Sequence, residues 1–210
     1  KNYPQKEYVI KGNGINLIDF PFFNRDFKNL NFCYTGRLVH SKGIDKLLQA
    51  HALIKDKYPQ KKIGLIICGM YDSNDKDRIS NATLQRLRDS KEIFFYEDLE
   101  HSKVVNALEN SSVFVLPSTR EGISKAALEA ASTGMPIIAA NTDGTKDVVK
   151  HNINGLIYEH TNENGLLSSL ERMVNLNEKE LGDFSKASRE LVESQFSIEI
   201  ITKKYLEIIL

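Results

Sequence analysis

Apolar residues in this chain fall into short continuous runs, and stretches of helical periodicity separate them. Runs at 31–35, 61–68, 92–96, 113–116, 136–140 and 155–158 predict strands, preceded by a short apolar run at 8–11. Between them, Ile44, Leu47, Leu48, His51 and Ile54 recur at the 3.6-residue period of a helix opened by Lys42-Gly43. Ile79, Leu84 and Leu87 are the sparse inward face of a surface helix over 75–89, and Val104, Val105 and Leu108 that of a helix over 101–110. Shorter helices are expected at 123–133 and 144–150. From 161 the chain turns wholly helical, at 162–175, 177–193 and 197–209, the last with Ile198, Ile201, Tyr205, Ile208 and Ile209 as its apolar set. Strands buried on both faces read as unbroken apolar runs, and strands alternating with helices build a parallel sheet covered on both sides. The expected fold is α/β, a doubly wound, Rossmann-like parallel sheet. No linker, repeat or low-complexity tract divides residues 1–210, which read as one domain.

The stretch Pro117–Pro136 organises the candidate chemistry. Val113–Leu116 reads as a buried strand that Pro117 ends, because proline cannot donate to a ladder. The good helix formers from Ile123 to Thr133 then give way to Gly134 at the expected C′ position, with Pro136 just beyond. Glu121 stands at the entrance of this helix and Glu129 inside it. Taken alone, they are a first-turn acid matched to the helix dipole and a solvated helix residue. A carboxylate at the mouth of a βα turn, however, lies where open α/β sheets bind ligands, beside a helix N-terminus that favours anions.

Composition narrows the function. The 28 basic and 28 acidic side chains cancel, so no basic excess points to nucleic acid, and no segment approaches the ~18 apolar residues of a membrane span. The N-terminus has no apolar signal core. Cys33 and Cys68 sit inside apolar runs, as reduced core residues do, which suits a cytoplasmic protein. The five histidines show no ligand spacing, and no metal site is evident.

The strand ends of such a sheet would carry Thr35-Gly36-Arg37, Gly69-Met70-Tyr71, Tyr96-Glu97-Asp98, Pro117–Glu121 and Asn141–Gly144. Arg37 offers a planar fork and Lys42 a point charge, a pair suited to diphosphate oxygens. Carboxylates accept from vicinal hydroxyls. Were 121–129 helical throughout, the two acids would stand about 12 Å apart, enough to meet a sugar and a ribose across a diphosphate. The amides of Gly122, Ile123 and Ser124 would lie near the phosphate or the sugar. That set describes a nucleotide-sugar site. No Gly-x-Gly-x-x-Gly follows a strand and no Gly-x4-Gly-Lys-Ser/Thr loop is present, so dinucleotide and P-loop readings are poor.

Asn13-Gly14-Ile15-Asn16 with Phe20, Gly36-Arg37…Lys42-Gly43, and Leu116-Pro117-Ser118…Glu121-Gly122…Glu129-Ala130 resemble the C-terminal domain of retaining GT-B glycosyltransferases of family 4. Gly134-x-Pro136, Gly144 and Asn154-Gly155-Leu156 continue the pattern to nearly the chain's full length. The resemblance implies a donor-binding domain for an NDP-sugar, UDP ahead of GDP, with no other cofactor and no metal. Gly36, Arg37 and Lys42 would hold the diphosphate, with Arg37 and Lys42 stabilising the charge that grows as the sugar–phosphate bond breaks. Glu121 would bind the donor sugar's hydroxyls and act with Arg37 and Lys42 in catalysis, Glu129 would bind the ribose, and the loop at Tyr96–Asp98 would border the base. The acceptor, a glycan or a lipid-linked acceptor in bacterial surface polysaccharide or glycolipid synthesis, would be held by a missing N-terminal domain against which helices 162–209 pack. The isolated domain would have little activity. The whole protein would be cytoplasmic, with possible peripheral association at the inner face of the membrane.

The chain departs from the family's frequent pattern at Gly122-Ile123-Ser124, Asp143-Gly144-Thr145 and Cys68-Gly69-Met70, positions that bear on sugar identity and loop geometry. The alternatives are a nucleotide-sugar-binding module without catalysis, against which the retention of both acids and both cations stands, and a related epimerase, against which Gly36-Arg37…Lys42-Gly43 stands.

Overall fold

A computed structural model describes residues 14–209, so the run at 8–11 and Asn13 lie outside the described residues. Six strands, β1 (Leu30–Arg37), β2 (Ile63–Met70), β3 (Ile93–Glu97), β4 (Val113–Leu116), β5 (Ile137–Ala140) and β6 (Gly155–Tyr158), make one sheet in the order β3-β2-β1-β4-β5-β6. Every pairing is parallel. The helices are α1 (Ile44–Lys57), α2 (Asn81–Asp89), α3 (His101–Glu109), α4 (Lys125–Ser132), α5 (Thr145–Val148), α6 (Gly165–Asn175), α7 (Glu178–Gln195) and α8 (Ile198–Ile209). The doubly wound Rossmann-like fold expected from the sequence is the fold observed.

The sheet separates two apolar cores. On one face Phe32, Tyr34 and Leu65 pack with α1, α2 and α6, through Ile44, Leu47, Leu87 and Leu170. On the other, Cys33, Phe114 and Ile137 pack with α3, α4 and the C-terminal half of α7. Adjacent strand residues point to opposite faces, which is why β4 and β5 are buried along their whole length. Both cysteines are free and buried, and burial pushes the Cys33 thiol up to about 11.

Three local differences have physical reasons. The apolar run ending at Tyr96 is an edge strand rather than a fully buried one, and Phe94 and Tyr96 are exposed. The surface helix starts at Asn81 rather than 75, because Ser80 caps it, its Oγ accepting from the Thr83 amide at 3.0 Å. Residues 75–80 instead form a turn and an isolated bridge from Arg78 to Val39, and Ile79 is buried there, its amide donating to the Leu38 carbonyl at 3.0 Å. Likewise α4 starts at Lys125 rather than Ile123, with Ser124 as its cap. Gly134 follows with φ of 78°, the left-handed C′ geometry that its position predicts. At the far end Ile201 alone of the α8 apolar set is buried, while Ile198, Tyr205, Ile208 and Ile209 are exposed.

Candidate functional site

The strand order reverses between β1 and β4, so the loops after them open onto one crevice, the usual ligand position of an open α/β sheet. After β1, a 3-10 turn (His40–Lys42) ends at Gly43, whose φ is 75°. A Cβ at Gly43 would run into the carbonyl of Pro117, so glycine alone lets the β1–α1 loop lie on the β4–α4 loop. The Thr119 amide donates to the Ser41 carbonyl at 3.0 Å and fixes that contact. From the other side Gly144 closes on the same loop: its amide donates to the Glu121 carbonyl at 3.3 Å, and a Cβ there would meet the Gly122 carbonyl.

This clamp seats Lys42 against Glu121. The Lys42 ammonium donates to Glu121 Oε1 at 2.5 Å, and the Glu121 side chain is only 10% exposed. Arg37 behaves differently. Its side chain is 58% exposed and turned to Asp75 at 3.0 Å, so it stands at the rim and is not brought onto Glu121. Its carbonyl is fixed from below by the buried Tyr34 hydroxyl at 2.7 Å, and Gly36 has a φ of 151° directly over that hydroxyl. Both expected cations are therefore already paired with acids of the chain.

Gly122, Ile123 and Ser124 form the loop between Glu121 and α4, not its first turn. Among the described residues none of their three amides donates to a protein acceptor, and the space around Gly122 is open. Because 121–124 is loop, helix rise does not set the separation of the two acids.

Glu129 is 5% exposed, far from the solvated helix residue that its position alone describes. The alanines around it (Ala126, Ala127, Ala130, Ala131) let α4 approach the sheet closely enough to bury it. Burial pushes its carboxyl up from the usual range, against the pull of Lys125 and His101. His101 Nε2 lies 3.1 Å and Lys125 Nζ 3.6 Å from Glu129 Oε1. In front of the carboxylate is a cavity of about 310 Å³ lined by Gly36, Cys68, Gly69, Leu99, Lys125 and Glu129, among others. A second cavity, about 490 Å³, lies on the Glu121 side against Arg120, Asn141, Asp143 and His160.

Of the residues expected from sequence, the structure thus joins Lys42 with Glu121, sets Gly122–Ser124 between the two acids, and puts Gly36 and Glu129 on one cavity. No residue of the loop expected to border a base, Tyr96–Asp98, lines that cavity; the next residue, Leu99, does, and it also lines the separate groove that Tyr96 shares with Phe94 and Asn106. Sequence reasoning missed Asp75, His101 and Lys125. The i, i+4 spacing of Lys125 and Glu129 on one helix was a usable signal; the other two partners are distant in sequence. Among the described residues no cluster of three His, Cys, Asp or Glu could hold a metal ion.

A crevice at the reversal of a parallel sheet, with two paired cations, one buried and one partly buried carboxylate and three free amides before a helix, defines an α/β domain suited to a ligand that is both anionic and polyhydroxylated. The chain belongs to the glycosyl transferases group 1 family, whose model matches residues 19–191. It is 27% identical over 198 residues, 90% of this chain and 50% of the relative, to the capsular polysaccharide biosynthesis glycosyltransferase CapM of Staphylococcus aureus. Its fold matches the C-terminal domain of a glycosyl transferase group 1 family protein from Francisella tularensis, with a TM-score of 0.74, 18% identity, and coverage of 88% of this chain and all of that one. It also matches Anabaena HepE in complex with UDP, with a TM-score of 0.79, 17% identity, and coverage of 96% and 57%. The chain spans about half the length of the curated relatives it matches. No helix among the described residues is long and apolar enough to cross a membrane.

Proposed function

We propose that this chain is the donor-binding, C-terminal domain of a retaining family 4 glycosyltransferase that moves a sugar from an NDP-sugar to a glycan or lipid-linked acceptor. The observation that carries this is the division of labour along 121–129: a lysine-paired acid at the mouth, free amides next, then a buried acid on a cavity. The diphosphate would take the three amides and draw Arg37 and Lys42 from Asp75 and Glu121. Charge developing on the leaving diphosphate would be met by those cations. Glu121, released from Lys42, would accept from the donor sugar's hydroxyls, and Glu129 from the ribose. No metal is required in this scheme, because the chain's own cations supply the countercharge.

The acceptor side belongs in this proposal to a second, N-terminal domain. The residues exposed on α8 (Ile198, Tyr205, Ile208, Ile209) offer apolar surface against which such a domain could pack. A role in surface polysaccharide synthesis accords with the CapM relative, and we place the whole protein at the cytoplasmic side of a membrane. UDP is the first nucleotide to test, since the Anabaena fold neighbour is described with it.

Calorimetric titration of this chain with UDP-glucose and GDP-mannose tests the reading. Binding to at least one, lost in Glu129→Ala, is expected; failure to bind either, or any other nucleotide sugar, removes the donor-site assignment. Full transfer activity from these 210 residues alone would remove the division between two domains.

A further inference from the structure

His101 opens α3 and Lys125 opens α4, and both reach the same oxygen of Glu129. His101 Nε2 is 3.1 Å and Lys125 Nζ 3.6 Å from Oε1, while Nε2 and Nζ are 2.9 Å apart. These contacts cannot all be hydrogen bonds in one protonation state. An ammonium only donates, so a bond from Lys125 to Nε2 requires a bare lone pair there, and that lone pair faces Oε1 repulsively. When Nε2 carries hydrogen it donates to Oε1 and Lys125 must turn away. The imidazolium satisfies Oε1 best, because both its nitrogens are donors and its charge opposes that of the carboxylate. Phe20, with its ring centroid 5.8 Å from that of His101, holds the imidazole at the rim of the cavity. Oε2 of Glu129 has no such contact among the described residues.

We infer that His101 is a positioning residue for Glu129: its Nε2–H fixes Oε1, leaves Oε2 to accept from the ligand's diol, and ties donor binding to a proton on the imidazole. The inference rests on the reading of Glu129 as the ribose acceptor. It goes beyond that reading by making the site tighten as pH falls from 8 to 6.

The groups facing His101 make the sign readable. From α4 they are Lys125 and Glu129, from the segment before β1 Asp19, and from β2 the Cys68 thiol, which burial pushes upward; Glu100 and Lys103, its neighbours in sequence, pair with each other. Carboxylates and ammonium groups ordinarily keep their charge between pH 6 and 8, where imidazole ordinarily changes its own. Burial raises the Glu129 carboxyl, and protonation there would weaken diol binding as pH falls, the opposite sign.

Calorimetry with UDP-glucose is the test, because its diphosphate diester has no ionisation in this range to confuse the reading. Wild type is expected to bind about fivefold tighter at pH 6 than at pH 8, the low end of usual coupling between two binding events. Titrations in buffers of different ionisation heat should show net proton uptake on binding. His101→Gln, whose amide donates to Oε1 at every pH, should bind with a flat profile and no proton uptake; Lys125→Met should keep both pH responses. Equal pH dependence and equal proton uptake in wild type and His101→Gln, or a flat profile in Lys125→Met, overturns the inference while leaving the donor site standing. Wild type that binds no nucleotide sugar at any pH overturns the donor-site reading itself, and this inference with it.

Discussion

His51 and Glu129 are both almost wholly buried, at 3% and 5% exposure, yet their surroundings differ. His51 lies on α1 among Leu48, Leu87 and Ile93, and its Nε2 has no hydrogen-bond partner. Burial, helped by Lys55, lowers it to about 4 against a backbone bond to Ile63 and the pull of Glu92, so at neutral pH it is an uncharged core residue. Glu129 is a buried acid with a histidine and a lysine aimed at one oxygen and a cavity in front. Burial of an ionisable group therefore does not mark a site in this molecule. What separates the two is an incomplete set of partners facing open space, and that difference can be tested by variants of graded effect.

The largest effect belongs to the residue without a ligand role. His51 stays neutral in the folded state at pH values where an unfolded histidine takes up a proton. Its contribution is thus complete above pH 6.5 and is lost as pH falls toward 4, by about 3 kcal/mol. Urea midpoints measured from pH 7 to 4 should show that loss in wild type and a shallower one in His51→Leu, with nucleotide binding at pH 7 unchanged. An equally steep loss in the variant would mean that other groups carry the acid sensitivity.

Arg37 is the converse, an exposed side chain to which the proposed function gives a role in holding the ligand. Arg37→Ala should cost about 1.5–3 kcal/mol of nucleotide affinity, the worth of a charge-assisted bond to phosphate. Its stability should hardly move, since the Arg37–Asp75 pair is largely exposed and such pairs contribute little. Unchanged affinity takes Arg37 out of the site.

Lys42 stands between these extremes, because its partner Glu121 is partly buried but the pair faces the crevice. Lys42→Met leaves that carboxylate without its counterion. The cost should be about 2 kcal/mol, between the small worth of a surface pair and the 3–5 kcal/mol of a broken buried one. Adding Glu121→Gln should recover most of it, and a double-mutant cycle by urea unfolding gives the coupling. No recovery in the double variant would mean that the ion pair contributes nothing and that packing of the lysine stem does.

These contrasts also mark how far the sequence could be read. The sheet and its helices were legible because strands covered on both faces leave unbroken apolar runs, as Val113–Leu116 does, and because Gly134 and Pro136 punctuate α4. The edge position of β3 was not, since the run at 92–96 is as apolar as a buried one and only the strand order exposes Phe94 and Tyr96. Within the site, Lys42 and Glu121 could be nominated but not joined. Their contact depends on Gly43 yielding to the Pro117 carbonyl, a meeting of two loops far apart in sequence. Asp75 and His101 were hidden for the same reason: each meets its partner only after the sheet has formed.

The smallest expected effect carries the opposite sign to that of His51. Glu129 has a raised carboxyl, so over the range between its unfolded and folded titrations the folded state binds more protons than the unfolded one. Stability must therefore fall as pH rises through that window, and the full penalty for the buried charge persists at pH 7. Glu129→Gln removes the charge while keeping the shape. The contacts it gives up, to Lys125 and His101, come from side chains that are themselves mostly exposed and contribute little. The variant should be more stable than wild type at pH 7, by up to about 1 kcal/mol, should lose that advantage near pH 4, and should bind nucleotide sugar far more weakly. Urea midpoints at the two pH values and one calorimetric titration decide it. A variant less stable than wild type at pH 7 and no worse at pH 4 would make Glu129 a structural ion-pair residue, and the distinction from His51 would then lie in pairing alone rather than in a ligand the carboxylate is held ready to meet.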